Sequence, residues 1–217
     1  MRAQKLGGFA SIVSAFTLVI FLVIVGLVFP RLGLVGPSDR MDPLKGIAAE
    51  SASPIAFLIL NLDLVLCGIA FIVIVLALRE RMEAKVPNVM KLAVIGVSIA
   101  SALWLASGFL AIVGIPSTVS VKDASAYRAL IGVWFGLVVA GDHAVGWALL
   151  LIGWAALKTR DLPRILSYLS VIVGIVFMLD FAAKPLMPAS LVLCILWNLW
   201  LGVVLLRNKV DRATTET

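Results

Sequence analysis

The sequence predicts an all-α, polytopic transmembrane bundle of six helices with both termini cytoplasmic, and three observations carry that reading. First, 62% of the 217 residues are hydrophobic and only 14% are charged, at a mean hydropathy of +1.13. A soluble domain of this size cannot hide so much apolar surface, so lipid must be the main solvent. Second, the apolar residues form long runs separated by short polar links. Third, Lys and Arg gather in alternate links, about 12 on one side and about 6 on the other. Positively charged segments resist translocation, which places the richer side, and both ends of the chain, in the cytoplasm.

The whole of 1–217 reads as one membrane domain. Arg2 and Lys5 open it on a basic note, and an uncharged run follows to Pro30. That run is far longer than the ~7–15 apolar residues of a signal peptide and no small-x-small cleavage site follows it, so about Gly8–Phe29 is the first span. Residues 31–53 form the longest polar link, an extracytoplasmic loop in this topology. Within it Asp42-Pro43 has the form of an N-cap and first helical residue, so either a short interfacial helix near Pro43–Ser51 or a plain solvated loop is expected.

The second span covers about 54–78 and ends in the charged stretch from Arg79 to Lys85. The third, about 91–115, is rich in small residues (Gly96, Ser98, Ala100, Ser101, Gly108), which let helix backbones approach where lipid removes the usual hydrophobic drive. A link around Pro116–Ala126 leads to the fourth, about 127–157. It is long enough that it must tilt, kink or project. Gly132, Gly136 and Ala140 make a GxxxG face on it; the helix is expected to be central, and the face to meet another copy or another membrane subunit. The basic turn Lys158–Arg164 is short enough to join only antiparallel neighbours. The fifth span is about 165–183, and the sixth, about 187–206, precedes a polar tail.

Charge at membrane depth costs about 2.5–3.5 kcal/mol per residue on insertion scales and tends to face a bundle interior or a wet cavity. Asp63, Asp142, His143 and Asp180 therefore need a reason. Asn61 and Asn198 add polar groups at similar depth, and together these six form a candidate polar intramembrane site in the outer half of the bundle. Asp142 and His143, the only histidine, point about 100° apart on a helix, so one of them meets a neighbouring helix. Three readings stay open for them: an interhelical hydrogen bond that sets helix rotation, a proton or cation path, or ligand binding through His143.

Other chemistry is limited by what is missing. One histidine cannot supply a bis-histidine haem site or a multi-histidine zinc site, which leaves only single axial ligation of a haem or chlorin by His143. No GxSxG, HExxH or Walker motif occurs, and Lys184 stands at a helix end where snorkelling accounts for it. Cys67 and Cys194 lie in apolar runs without CxxC spacing and read as small buried hydrophobes. Trp154 suits a headgroup belt, while Trp104, Trp147 and Trp197 lie deeper, where their indole N–H groups seek partners. The formal charge of +6 forms no continuous basic face, so nucleic acid is not an expected partner.

The basic turn Leu162-Pro163-Arg164-Ile165, Gly174 after it, and the closing run Leu196-Trp197-Asn198-Leu199-Trp200-Leu201-Gly202-Val203-Val204-Leu205-Leu206-Arg207 resemble a family of bacterial six-span integral membrane proteins known only as a domain of unknown function. The resemblance implies an integral membrane protein of the bacterial inner membrane and carries no functional residues with it. The function expected from the residues themselves is movement or sensing of a small solute or of protons. The alternatives are a structural or accessory subunit of a larger membrane complex, with or without a cofactor or pigment, and a membrane enzyme acting on lipid, which would show an apolar groove opening to lipid beside Asp63 or Asp180.

Overall fold

A computed structural model of the chain describes residues 2–179 and 186–207, and every regular element among them is helical. Five helices are long and apolar enough to cross a membrane: α1 (Ala3–Arg31), α4 (Pro54–Met82), α5 (Pro87–Val121), α6 (Ala124–Thr159) and α8, described over Leu186–Arg207. Between α6 and α8 lies α7 (Arg164–Leu179), equally apolar but with 16 described residues, about 24 Å at 1.5 Å per residue. Two short helices, α2 (Pro37–Met41) and α3 (Pro43–Ala52), follow α1.

The starts and stops obey local chemistry. Proline, which has no N–H to lose in a first turn, stands at the head of α2, α3, α4 and α5. The Asp42 carboxylate caps α3 by accepting from the Leu44 N–H (3.0 Å), and Asp123 caps α6 by accepting from the N–H groups of Ser125 and Ala126 (both 3.0 Å). Helices α5 and α6 end on residues in the left-handed region, Lys122 (φ 55°) and Arg160 (φ 56°).

Each long helix packs against its neighbour in sequence, and α8 returns to α1, so the six close into an up-and-down ring in the order α1, α4, α5, α6, α7, α8. One end of the ring is covered by α2 and α3 and is called here the cap end. The other carries the 83–86 and 160–163 turns and is called the turn end. The beginning of α1 lies at the turn end, where Gly7 and Gly8 meet Ala77, Leu205 and Leu206. The outside of the ring is apolar: Phe9, Phe16, Leu27, Ile69, Ile95, Phe109 and Val133 are all exposed, a surface suited to lipid.

Close helix approach rests on particular glycines. Gly146 of α6 and Gly174 of α7 face each other, so that a Cβ on either would come within 2.9 Å and 2.7 Å of the other's carbonyl oxygen. The GxxxG face behaves otherwise. Gly132, Gly136 and Ala140 are exposed, and nothing lies within 4 Å of a Cβ built on either glycine. The face is therefore not a contact inside the bundle, although α6 itself packs along both α5 and α7: Trp134 and Ile131 occupy the inward side of that stretch, and the larger residues win the core because they bury more area.

The third span also differs from its sequence reading. Rather than stopping at Ile115, α5 passes through a π turn (Leu110–Gly114) and continues to Val121. Pro116 follows that turn by two residues, and Pro30 stands in the same relation to the π turn Ile24–Val28 of α1. The wider π turn absorbs the hydrogen bond a proline cannot make, so the helix bends instead of ending. Long as it is, α6 runs unbroken for 36 residues, about 54 Å, and so extends well past a ~30 Å hydrocarbon core.

Candidate functional site

On α4, residues four apart share a face, and Asp63, Cys67 and Phe71 lie along one inward stripe, all buried. The first two make a polar group with α1. The Thr17 hydroxyl donates to the Ser14 carbonyl (3.0 Å) and lies 3.2 Å from Cys67 Sγ, while the Cys67 thiol donates to Asp63 Oδ1 (3.9 Å) and lies 4.0 Å from the Ser14 hydroxyl. Ser11, Ser14 and Thr17 recur every three residues on an otherwise apolar helix, which turns all three toward α4 and α8. They are buried at 0%, 0% and 7% exposure, so none is a lipid-facing accident.

Across the interior, α8 supplies the next groups. Asn198 donates through Nδ2 to the Cys194 carbonyl (3.0 Å) and to Cys194 Sγ (3.3 Å), and the Ser11 hydroxyl donates to the Asn198 carbonyl (2.6 Å). Cys194 lies within electrostatic reach of Cys67 on one side and of Asp142 on the other. Asp142, on α6, accepts from the Trp104 indole N–H of α5 (3.0 Å), a contact made possible because Gly141 leaves room for that ring. The result is a transverse layer from Thr17 and Asp63 through the two cysteines to Asp142 and Trp104. The donor to Asp63 is a neutral thiol, that of Cys67, with the Thr17 hydroxyl beside it.

The layer is bounded on both sides by aromatic groups. Toward the turn end Phe71 stacks on Trp197 (centroids 6.3 Å) and meets Trp104 edge-on (5.5 Å). Toward the cap end Arg40, from α2, sits over the rings of Trp134 (4.0 Å), Phe57 (5.3 Å) and Phe29 (5.7 Å), the last two stacked on each other at 4.9 Å. These are cation–π contacts in a desolvated setting, where each is worth up to about 2 kcal/mol. Arg40 is opposed by Glu50 of α3, whose Oε1 accepts from the Tyr127 hydroxyl (3.0 Å) while that hydroxyl also lies against the guanidinium. Burial pushes the Glu50 carboxyl above the usual carboxylate range, with the Arg40 charge and the Tyr127 hydroxyl pulling the other way. Arg40 Nε and Nη2 are buried with no hydrogen-bond partner among the described residues, so the aromatic faces are their main company.

Of the six residues singled out from the sequence, Asp63, Asp142 and Asn198 belong to one layer. Asn61 does not join it: its Nδ2 donates to the Phe57 carbonyl (2.7 Å) and its Oδ1 accepts from Trp134 (3.2 Å), which makes it a support for the cap cluster. His143 is half-buried one residue on from Asp142, on the adjoining face of α6. Asp180 lies outside the described residues. Among the described residues no three His, Cys, Asp or Glu side chains are close enough to hold a metal ion.

Sequence reasoning missed the roles of the two cysteines and of Arg40 and Glu50, while α3 is the short helix it offered near Pro43–Ser51. Cys67 and Cys194 are buried and free, but they are more than space-fillers, since both thiols are hydrogen-bonded into the layer. Arg40 and Glu50 read as loop charges because nothing in the polar link 31–53 announces which of its charges folds back onto the helices. Trp147, expected at depth with a partnered indole, is 52% exposed on the outside of α6, whereas Trp197 is wholly buried. The periodic Ser11, Ser14 and Thr17 were the one legible signal passed over. Comparison with family models, with curated proteins and with solved structures finds no match to this chain.

Proposed function

We propose that the protein is a six-span inner-membrane protein, cytoplasmic at both ends, that moves protons or a small cation by way of the Asp63–Asp142 layer. The observation that supports this reading is the position of the layer: two carboxylates inside the ring, with two buried thiols near them, between the Phe71–Trp104–Trp197 aromatic cluster and the Arg40 cap. A carboxylate that receives only neutral hydrogen bonds, as Asp63 does, is a natural acceptor of a proton or cation at membrane depth. A polar centre enclosed at both ends fits a site that opens to one side at a time. The π turns of α1 and α5 flank the first half of α4, where the helices would have to bend to open it.

The cytoplasmic assignment of the turn end rests on its excess of Lys and Arg. The test is flux. In vesicles holding a pH-sensitive dye, the reconstituted protein should dissipate an imposed pH or cation gradient, and Asp63→Asn and Asp142→Asn should each slow this at least ten-fold. Unchanged flux in both variants, or none in the wild type under either gradient, would overturn the reading.

A second reading, an accessory subunit or homo-oligomer, draws on the exposed Gly132, Gly136 and Ala140 face of α6. It predicts that Gly132→Leu changes the oligomeric state in mild detergent. The lipid-enzyme reading loses its motivation at Asp63, which is 4% exposed and enclosed by α1 and α4.

A further inference from the structure

At the turn end a cavity of about 400 Å³ lies between the end of α8, the α6–α7 turn and the end of α4. Its polar wall carries Arg81, Arg160 and Arg207 with Asp161, and its apolar wall carries Trp200 and Val203. The single acid is engaged at Oδ1, which accepts from Lys85 Nζ (2.7 Å), so Arg160 and Arg207 are not paired with that oxygen. Lys85 also donates to the Thr159 carbonyl (3.2 Å), which ties the α4–α5 turn to the α6–α7 turn and sets the rim of the cavity.

The two walls are stacked along the membrane normal. Trp200 and Val203 are exposed on α8, one to two turns deeper in the bundle than Arg207, so apolar surface gives way to basic surface over about 6–10 Å. Lys158 lies over the Trp154 ring (5.0 Å) at the same end of α6, the pairing of cation and aromatic expected at headgroup level. A cavity with arginines at headgroup height and an exposed apolar floor matches an amphiphile with an anionic head. Its volume is within the ~300–1,000 Å³ usual for small-ligand clefts.

We infer that this cavity binds the phosphodiester headgroup of an anionic phospholipid, with the first carbons of its acyl chains over Trp200 and Val203. Guanidinium groups recognise phosphate oxygens in pairs, and basic pockets beside membrane helices are a recurring means of holding such lipids. Arg160 is the most telling lining residue. It occupies the left-handed conformation that closes α6, where glycine would be easier, and yet carries a long cationic side chain facing the cavity. This inference does not depend on the transport reading.

The test uses the full chain purified in detergent, mixed with phosphatidylglycerol, with phosphatidylcholine or with inorganic phosphate, and followed by native mass spectrometry and thermal unfolding. Phosphatidylglycerol should remain bound one to one and raise the unfolding midpoint, whereas phosphatidylcholine and inorganic phosphate should do neither. Arg160→Gly should weaken retention of the lipid about five-fold, the loss of one near-surface basic contact, without lowering the lipid-free midpoint, because glycine suits that backbone conformation. Arg207→Gln should weaken it by a similar factor. Equal retention of the two lipids, equal retention by the variants, or a midpoint rise produced by inorganic phosphate alone would each overturn the assignment.

Discussion

The cap and the interior layer both bury acids, and they hold them in opposite ways. Glu50 in the cap lies near a cation, Arg40, whose guanidinium sits over the rings of Trp134, Phe57 and Phe29. Asp63 in the layer accepts from the Cys67 thiol and has the Thr17 hydroxyl beside it. Burial raises the Glu50 carboxyl and the Arg40 charge opposes that rise, so removing Arg40 leaves the acid buried with no positive charge to offset it. A carboxylate among neutral donors loses much less when its charge changes. The cap thus sets an acid near a cation, and the layer sets one among neutral groups.

The largest break in that comparison should come from Arg40→Ala. It empties the aromatic cage and removes the charge that opposes the burial of Glu50, and it should cost about 3–5 kcal/mol, since three desolvated cation–π contacts worth up to about 2 kcal/mol each are lost. Amide exchange through 37–52 should accelerate strongly while the ring helices stay protected. If 37–52 remains protected, the cap is held by something other than Arg40. The double replacement Arg40→Met with Glu50→Gln should recover most of the loss, since it leaves no unpaired charge.

Next in size is Gly46→Ala. A Cβ at Gly46 would overlap the Tyr127 ring and hydroxyl, so α3 must lift away from α6. Overpacking of this kind costs about 1–3 kcal/mol, read as a lower unfolding midpoint and faster exchange confined to the cap.

Asp63→Asn should do the reverse of Arg40→Ala. The amide keeps an oxygen for the Cys67 thiol and carries no charge to bury, so stability should stay within about 1 kcal/mol of the wild type even as flux is lost. A loss of several kcal/mol would show that Asp63 is a structural ion after all.

The smallest effect is the pH dependence of the cap. Burial raises the Glu50 carboxyl in the closed state above its ordinary value of 4.5, so the closed cap holds a proton more tightly than an open one. Cap stability is then greatest at acid pH, falls as pH rises from about 4.5 through the raised value, and is flat above it. Exchange rates across 43–52 measured against pH should show that slope, and Glu50→Gln should abolish it.

Much of the architecture could be read directly. The apolar runs fall on the long apolar helices, and Asp42 before Pro43 marked a real cap, because capping is a contact between residues two or three apart. The misplaced end of α5 has a local cause as well: Pro116 is a helix breaker by rule, and only the π turn ahead of it makes it harmless. In the candidate site, Asp63, Asp142 and Asn198 stood out by their cost in lipid, which is a property of each residue alone.

Partnership was not legible in the same way. Whether Gly132 or Gly146 marks a helix contact depends on which face of α6 turns inward, and both sit in similar glycine-containing apolar sequence. The ring closure that sets Gly146 against Gly174 and leaves Gly132 facing out is decided by the packing of all six helices together. Likewise the chain itself determined that an acid lies at the depth of Asp63, since hydropathy and helix rise need no neighbours. That this acid meets Thr17 and Cys67, and that Arg40 folds back to cover Trp134, comes from side chains separated by 46 to 94 positions in sequence. Lipid supplies no hydrogen bonds, so these polar groups find partners inside the bundle, and only the tertiary structure decides which ones.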